Sequence, residues 1–106
     1  MRGAALAPLL LLGACAGQQG CEADFLNQGR MAVEQLYLTP ETGGPAADLS
    51  PDAALPPGGS LRLPFPASGR YRLRAVWVNG RDIALSGIEA CEVQRVVLGD
   101  GALSAE

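Results

Sequence analysis

The chain has 106 residues, eleven acidic and eight basic side chains, no His, and a formal net charge of −3. Every basic residue is Arg, which excludes Ser-His and Cys-His nucleophile pairs, His metal ligands, a Schiff-base Lys and a phosphate-loop Lys. The acidic balance argues against nucleic acid as a partner, and the length allows one small domain.

Residues 1–14 read as an export signal, with Arg2 as the basic start and a short apolar run over residues 4–12. That run suits a secretory h-region and falls far below the roughly 20 residues that span a bilayer as a helix. It ends Leu12-Gly13-Ala14-Cys15. Small residues before a Cys, preceded by Leu, resemble the lipobox of bacterial lipoproteins. The resemblance implies that Cys15 becomes the first mature residue and is acylated, and two or more acyl chains suffice for stable anchoring. With Ala16 rather than Asp after the Cys, it also implies sorting to the outer membrane, facing the periplasm. Cleavage after Ala14-Cys15-Ala16 fits a small-x-small site as well, and would give a soluble periplasmic or secreted protein.

With Cys15 lipidated, Cys21 and Cys91 remain as a pair in an oxidising compartment. A bridge between them closes a loop of about 70 residues, worth about 4 kcal/mol in the chain-entropy picture. Two unpaired thiols are the alternative. The bridge would set the segment after Cys21 beside the segment holding Cys91.

Residues 15–22 read as a tether and residues 23–98 as the domain. Short apolar runs punctuated by Gly and Pro favour strands. A short strand is expected at residues 24–26, with Asn27-Gln28-Gly29 as its turn. A longer one follows at residues 31–38, where the parity break between Val33 and Leu36 predicts a bulge near Glu34-Gln35. Residues 39–59 carry five Pro and four Gly, a density that predicts a long loop with no regular strand. Leu49 and Leu55 would pin it to the domain, and Ser50-Pro51 would start one helical turn.

Residues 60–65 alternate cleanly, and Pro64 places them at a sheet edge. Residues 66–69 turn the chain, and residues 70–78 alternate Tyr71, Leu73, Ala75 and Trp77 against Arg70, Arg72, Arg74 and Val76. A two-residue Asn79-Gly80 turn would pair Trp77 with Asp82 and mix the faces. A three-residue loop, Val78-Asn79-Gly80 with Gly80 left-handed, pairs Ala75 with Ile83 and Leu73 with Leu85, keeping one apolar face. Gly87 breaks the chain, Ile88 to Ala90 lead into Cys91, and residues 93–98 form the last strong strand. Residues 99–106 are expected to be a flexible tail, with a final short strand as the alternative.

The pattern predicts an all-β fold, a small antiparallel β-sandwich of the immunoglobulin-like kind with about six or seven strands. Its expected core is Val33, Leu36, Leu38, Leu61, Leu63, Tyr71, Leu73, Trp77, Ile83, Leu85, Val93 and Val97.

The pieces Leu36-Tyr37-Leu38-Thr39-Pro40, Asp48-Leu49, Leu55 with Pro57-Gly58, Tyr71 to Trp77, Asn79-Gly80-Arg81 and Gly87-Ile88 through Cys91 resemble an uncharacterised family of small exported alphaproteobacterial proteins. The family often has Trp-Gly where this chain has Ala46-Ala47. It also tends to have a Cys where Gly69-Arg70 stand, so Cys21 would replace the usual bridge partner. The elements are turn and core chemistry and carry no function by themselves.

Arg70, Arg72 and Arg74 share one strand face, and Arg62 lies on the outward face of the preceding strand. If those strands are neighbours, four guanidinium groups form a patch for phosphate or carboxylate, lipid headgroups included. A solvated face paired with Glu34 or Asp82 is the plainer reading. Asp48, Asp52 and Glu41 lack the alternation of a calcium loop, and Glu89 and Glu92 would suppress rather than activate a thiol at Cys91. We expect no catalytic residue, no metal and no cofactor. The expected function is non-enzymatic: an envelope lipoprotein, anchored to the membrane, that presents a sheet edge or the 39–59 loop to an envelope protein. An anionic-ligand or headgroup binder using the arginine face comes second, and a secreted enzyme last.

Overall fold

A computed structural model describes residues 21–106; the expected signal segment, Cys15 and most of the tether lie outside the described residues. Eight strands form: β1 (Glu22–Asn27), β2 (Val33–Pro40), β3 (Ala47–Asp48), β4 (Ser60–Pro64), β5 (Arg70–Trp77), β6 (Asp82–Glu89), β7 (Arg95–Leu98) and β8 (Leu103–Ala105). They build two four-stranded sheets, ordered β4-β1-β7-β8 and β3-β2-β5-β6. The fold is a small all-β sandwich. Every pairing is antiparallel except β1 with β7, which runs parallel.

The hairpin register follows from one-sided burial. Ala75 pairs with Ile83 and Leu73 with Leu85, and Gly80 sits at φ 88° in the three-residue loop. Trp77 N–H donates to Arg81 O at 2.9 Å and closes that loop. A side chain at Gly80 would strain the left-handed backbone, so Gly80→Ala should cost about 1 kcal/mol, read as a lower midpoint in urea. The expected bulge in β2 is present between Val33 and Gln35. Gly87 does not end its strand. It sits at φ 79° in a second bulge, where Tyr71–Leu73 on β5 faces Leu85–Ile88 on β6. The extra residue flips the parity, so Ile88 and Ala90 enter the core.

The core lies between the inner faces. β1 supplies Ala23 and Phe25, β2 supplies Val33, Leu36 and Leu38, β5 supplies Tyr71, Leu73, Ala75 and Trp77, and β7 supplies Val96 and Leu98. Leu61, Leu63, Ile83, Leu85 and Val93 pack at its margin, half-buried. Val97 is a correction: it points to the other face, because Val96-Val97-Leu98 is apolar throughout and alternation cannot choose its parity. Pairing of Phe25 with Val96 and Asn27 with Leu98 makes the choice.

Tyr71 anchors the turn before β5 in the manner of a tyrosine corner. Its hydroxyl donates to Ala67 O at 2.9 Å and accepts the Ala67 N–H at 3.1 Å. The ring stacks at 5.5 Å from Phe65, which in turn lies 6.4 Å from Phe25. Tyr71→Phe keeps the packing and orphans both groups, so a loss of about 1–2 kcal/mol is expected by chemical denaturation.

Three further expectations change. The domain begins at Cys21–Glu22, which the tether was expected to include. Residues 99–106 close the sheet: Leu103 is buried, and Glu106 exchanges backbone hydrogen bonds with Arg95 at 2.8 and 3.1 Å. The 39–59 loop holds a two-residue strand, β3, and no helical turn. Ser50 does not cap a helix. Its Oγ accepts the Leu36 N–H at 3.1 Å, while Leu49 N–H donates to Leu36 O and Leu55 exchanges both backbone bonds with Val33. The loop is thus pinned at Leu49 and Leu55 as its sequence suggests.

Candidate binding site

The strand directions give the sandwich two ends. At the first, Phe65 N–H donates to Cys21 O, Ala90 N–H to Gly69 O and Gln94 N–H to Glu106 O. The Cys21–Cys91 disulfide is formed there, with 5.2 Å between the Cα atoms. The chain enters the domain at this end. At the opposite end, Asn27 N–H donates to Gly59 O, Gln28 N–H to Leu98 O and Val78 N–H to Ala32 O.

The arginines resolve into ion pairs. Arg62 and the other three are not neighbours, because β4 and β5 belong to different sheets. Arg62 lies 3.0 Å from Glu22 and 3.1 Å from Asp24; Asp24 first, then Glu22, raises its pKa. Arg70 meets Glu89 at 2.9 Å and Arg74 meets Asp82 at 2.8 Å, with the Arg74 guanidinium 5.9 Å from the Tyr37 ring centroid. Glu89 raises the Arg70 pKa as well. These pairs are exposed, so solvent and salt screen them and they add little to stability. Among the described residues, Arg72 alone of the four has no carboxylate within 4.0 Å. The four-arginine patch therefore does not assemble.

The loop carboxylates have their own local partners. Asp48 accepts the Ser50 N–H at 2.9 Å, and Glu41 accepts the Gly87 N–H across the sheet. Among the described residues no three His, Cys, Asp or Glu side chains converge as a metal cluster. The Ser50 hydroxyl, then its N–H, lowers the Asp48 pKa. A depressed folded value means this contribution is complete above the unfolded value near pH 4 and is lost as pH falls through the lower folded one. In Ser50→Ala the Asp48 titration, followed by NMR, should move upward toward the ordinary Asp value.

One pocket, of about 290 Å³, is lined by Asp24, Gln94, Arg95 and Glu106 near the end where the chain enters, and a more apolar one lies at the end opposite Cys21. The latter measures about 250 Å³ and is lined by Arg30, Met31, Trp77, Asn79, Arg81, Ile83 and Asp100. Trp77 and Ile83 come from the inner face of β5–β6, Arg30 and Met31 from the β1–β2 loop, and Asp100 from the β7–β8 loop. Asp100 holds that wall by accepting the Arg30 N–H at 2.6 Å. Met31 and Val78, the exposed large hydrophobic side chains among the described residues, both sit at this end. Trp77 is 4% exposed, and its indole Nε1 has no acceptor among the described residues.

Sequence reasoning placed Trp77 and Ile83 in the core and missed the pocket. Arg30-Met31 sits in a turn, Arg81 after a hairpin and Asp100 beyond the last expected strand, and only the closed fold brings them together. No protein-family model, curated protein or solved structure matches the chain.

Proposed function

We propose that the protein is a non-enzymatic binding or accessory module of the bacterial cell envelope, held at the periplasmic face of the outer membrane by lipid on Cys15. The observation that carries this reading is the polarity of the domain. The chain enters at Cys21, while the pocket and the exposed apolar side chains Met31 and Val78 lie at the far end. Cys15 stands six residues before Cys21, so a lipid there would hold the first end near the membrane and turn the pocket outward. β1 alone separates the two ends by about 20 Å.

A headgroup-binding role is less favoured by the charges. The end where the chain enters carries Glu22, Glu41, Glu89, Glu92 and Glu106. Of the arginines there, Arg70 and Arg95 are occupied by Glu89 and Glu106, which leaves Arg72. The lack of His and Lys disfavours the usual acid–base and nucleophilic designs.

Palmitate labelling and mass spectrometry of the mature chain from its host test the anchor. Label on the native chain and none on Cys15→Ser is expected; label that persists in the variant refutes lipidation at Cys15. Crosslinking in the envelope should recover a partner that Met31→Glu with Val78→Glu loses. Recovery of no partner from the native chain would overturn the module reading.

A further inference from the structure

The pocket opens at the start of a free sheet edge. β6 is the outer strand of its sheet, and β8 lies against it across the sandwich without a hydrogen bond between them. Because Trp77 N–H bonds Arg81 O, the antiparallel alternation turns Ile83 and Leu85 toward β5. The N–H and C=O groups of Asp82 and Ala84 therefore point outward, with no β-strand partner. The bulge around Ser86-Gly87 interrupts this edge, so a partner strand has room for about four residues beside it. Natural edges are normally blunted by such bulges and by charge; here the bulge leaves the segment next to the pocket open.

The chemistry of the two features joins at Arg81. Among the described residues Arg81 has no carboxylate within 4.0 Å, whereas Arg30 has Asp100 at 3.8 Å. Its guanidinium therefore has no direct ion-pair partner and borders a pocket whose apolar wall is Trp77, Met31 and Ile83 and which also holds the Arg30–Asp100 pair. The pocket volume suits one Leu- or Phe-sized side chain. A strand pairing antiparallel to β6 would run toward Arg81 and end there.

We propose that this site binds the C-terminal end of a partner polypeptide as an added strand on β6. The terminal carboxylate meets Arg81, and the last, apolar side chain enters the Trp77–Met31–Ile83 pocket. Main-chain hydrogen bonds to Asp82 and Ala84 supply affinity, while the pocket and Arg81 supply specificity. The inference rests on the pocket being the binding end of the module.

Trp77 is the sole Trp of the chain, so its fluorescence reports on the pocket directly. The purified, oxidised chain is titrated with acetylated tetrapeptides ending in Leu, Phe or Asp, each as the free acid and as the C-terminal amide. The Leu and Phe acids are expected to shift Trp77 emission and to bind at least tenfold more tightly than their amides and than the Asp peptide. Arg81→Gln, which leaves the hairpin backbone bonds in place, should abolish the acid–amide difference while far-UV circular dichroism stays unchanged. Amides that bind as well as acids overturn carboxylate recognition while leaving a binding pocket. Absence of any shift up to millimolar peptide overturns the inference altogether, and the module reading is then decided separately by the crosslinking.

Discussion

Cys91→Ser, or reduction of the oxidised chain, is expected to lower stability by about 3–4 kcal/mol and the melting temperature by on the order of 15–25 °C. The Cys21–Cys91 link spans 70 positions of sequence, so it removes much of the freedom of the unfolded chain. A domain of this size has a total stability of only about 5–10 kcal/mol. The bridge also fixes the start of β1, whose other ties at that end include its ladder with β4, the Arg62–Glu22 ion pair, and the Phe65 N–H to Cys21 O and Asp24 N–H to Gln94 O bonds. Thermal unfolding with and without reductant measures the effect. A shift under about 5 °C would mean that the strands alone hold this end.

The second large effect is expected at Asn27, the buried polar residue of the core, fully shielded from solvent. Its Nδ2 donates to Met31 O at 2.9 Å and to Leu55 O at 3.0 Å, and its Oδ1 accepts the Gly29 N–H at 2.9 Å. One amide therefore ties β1 to the β1–β2 loop and to the end of the long Pro-rich loop. Asn27→Ala leaves all three groups unpaired in a buried place, for about 2–4 kcal/mol. Asn27→Asp should cost more: it keeps the acceptor, loses both donors and sets a carboxylate against two carbonyl oxygens. Urea denaturation gives the magnitudes, with Ser104→Ala as an exposed control expected within about 0.5 kcal/mol. Because Asn27 holds Met31 O, both variants should also broaden the Trp77 emission.

Much of the fold was legible because the alternating strands carry their own parity. In β5 the Arg and apolar residues alternate without exception from Arg70 to Ala75, and only one loop length at Asn79-Gly80 keeps Ile83 and Leu85 on the same face. Parity was not legible in Val96-Val97-Leu98, where every residue is apolar and the β1 pairing decides. β3 was hidden, and β8 was legible only as an alternative to a flexible tail, for another reason. They are two and three residues long, too short for a period, and they form because β2 and β7 already present open edges. The bridge was legible from cysteine arithmetic. Most of the candidate site was not, since its residues come from three loops whose meeting is a property of the closed sandwich. The four-arginine patch rested on the assumption that consecutive strands β4 and β5 share a sheet, and within β5 the plainer reading of a paired face holds for Arg70 with Glu89 and Arg74 with Asp82.

The parallel pairing of β1 with β7 governs when this domain can come into being. Asp24 is made early, yet its partner Arg95 arrives only near the end of the chain. Until then β1 has β4 on one side and nothing on the other, and Phe25 has no Val96 to cover it. Such distant pairing makes assembly slow and leaves an adhesive half-sheet on any unfinished copy. A polypeptide arrested after β6 would therefore be an aggregation hazard rather than a smaller working domain, and the fold has to wait until β7 and β8 are free.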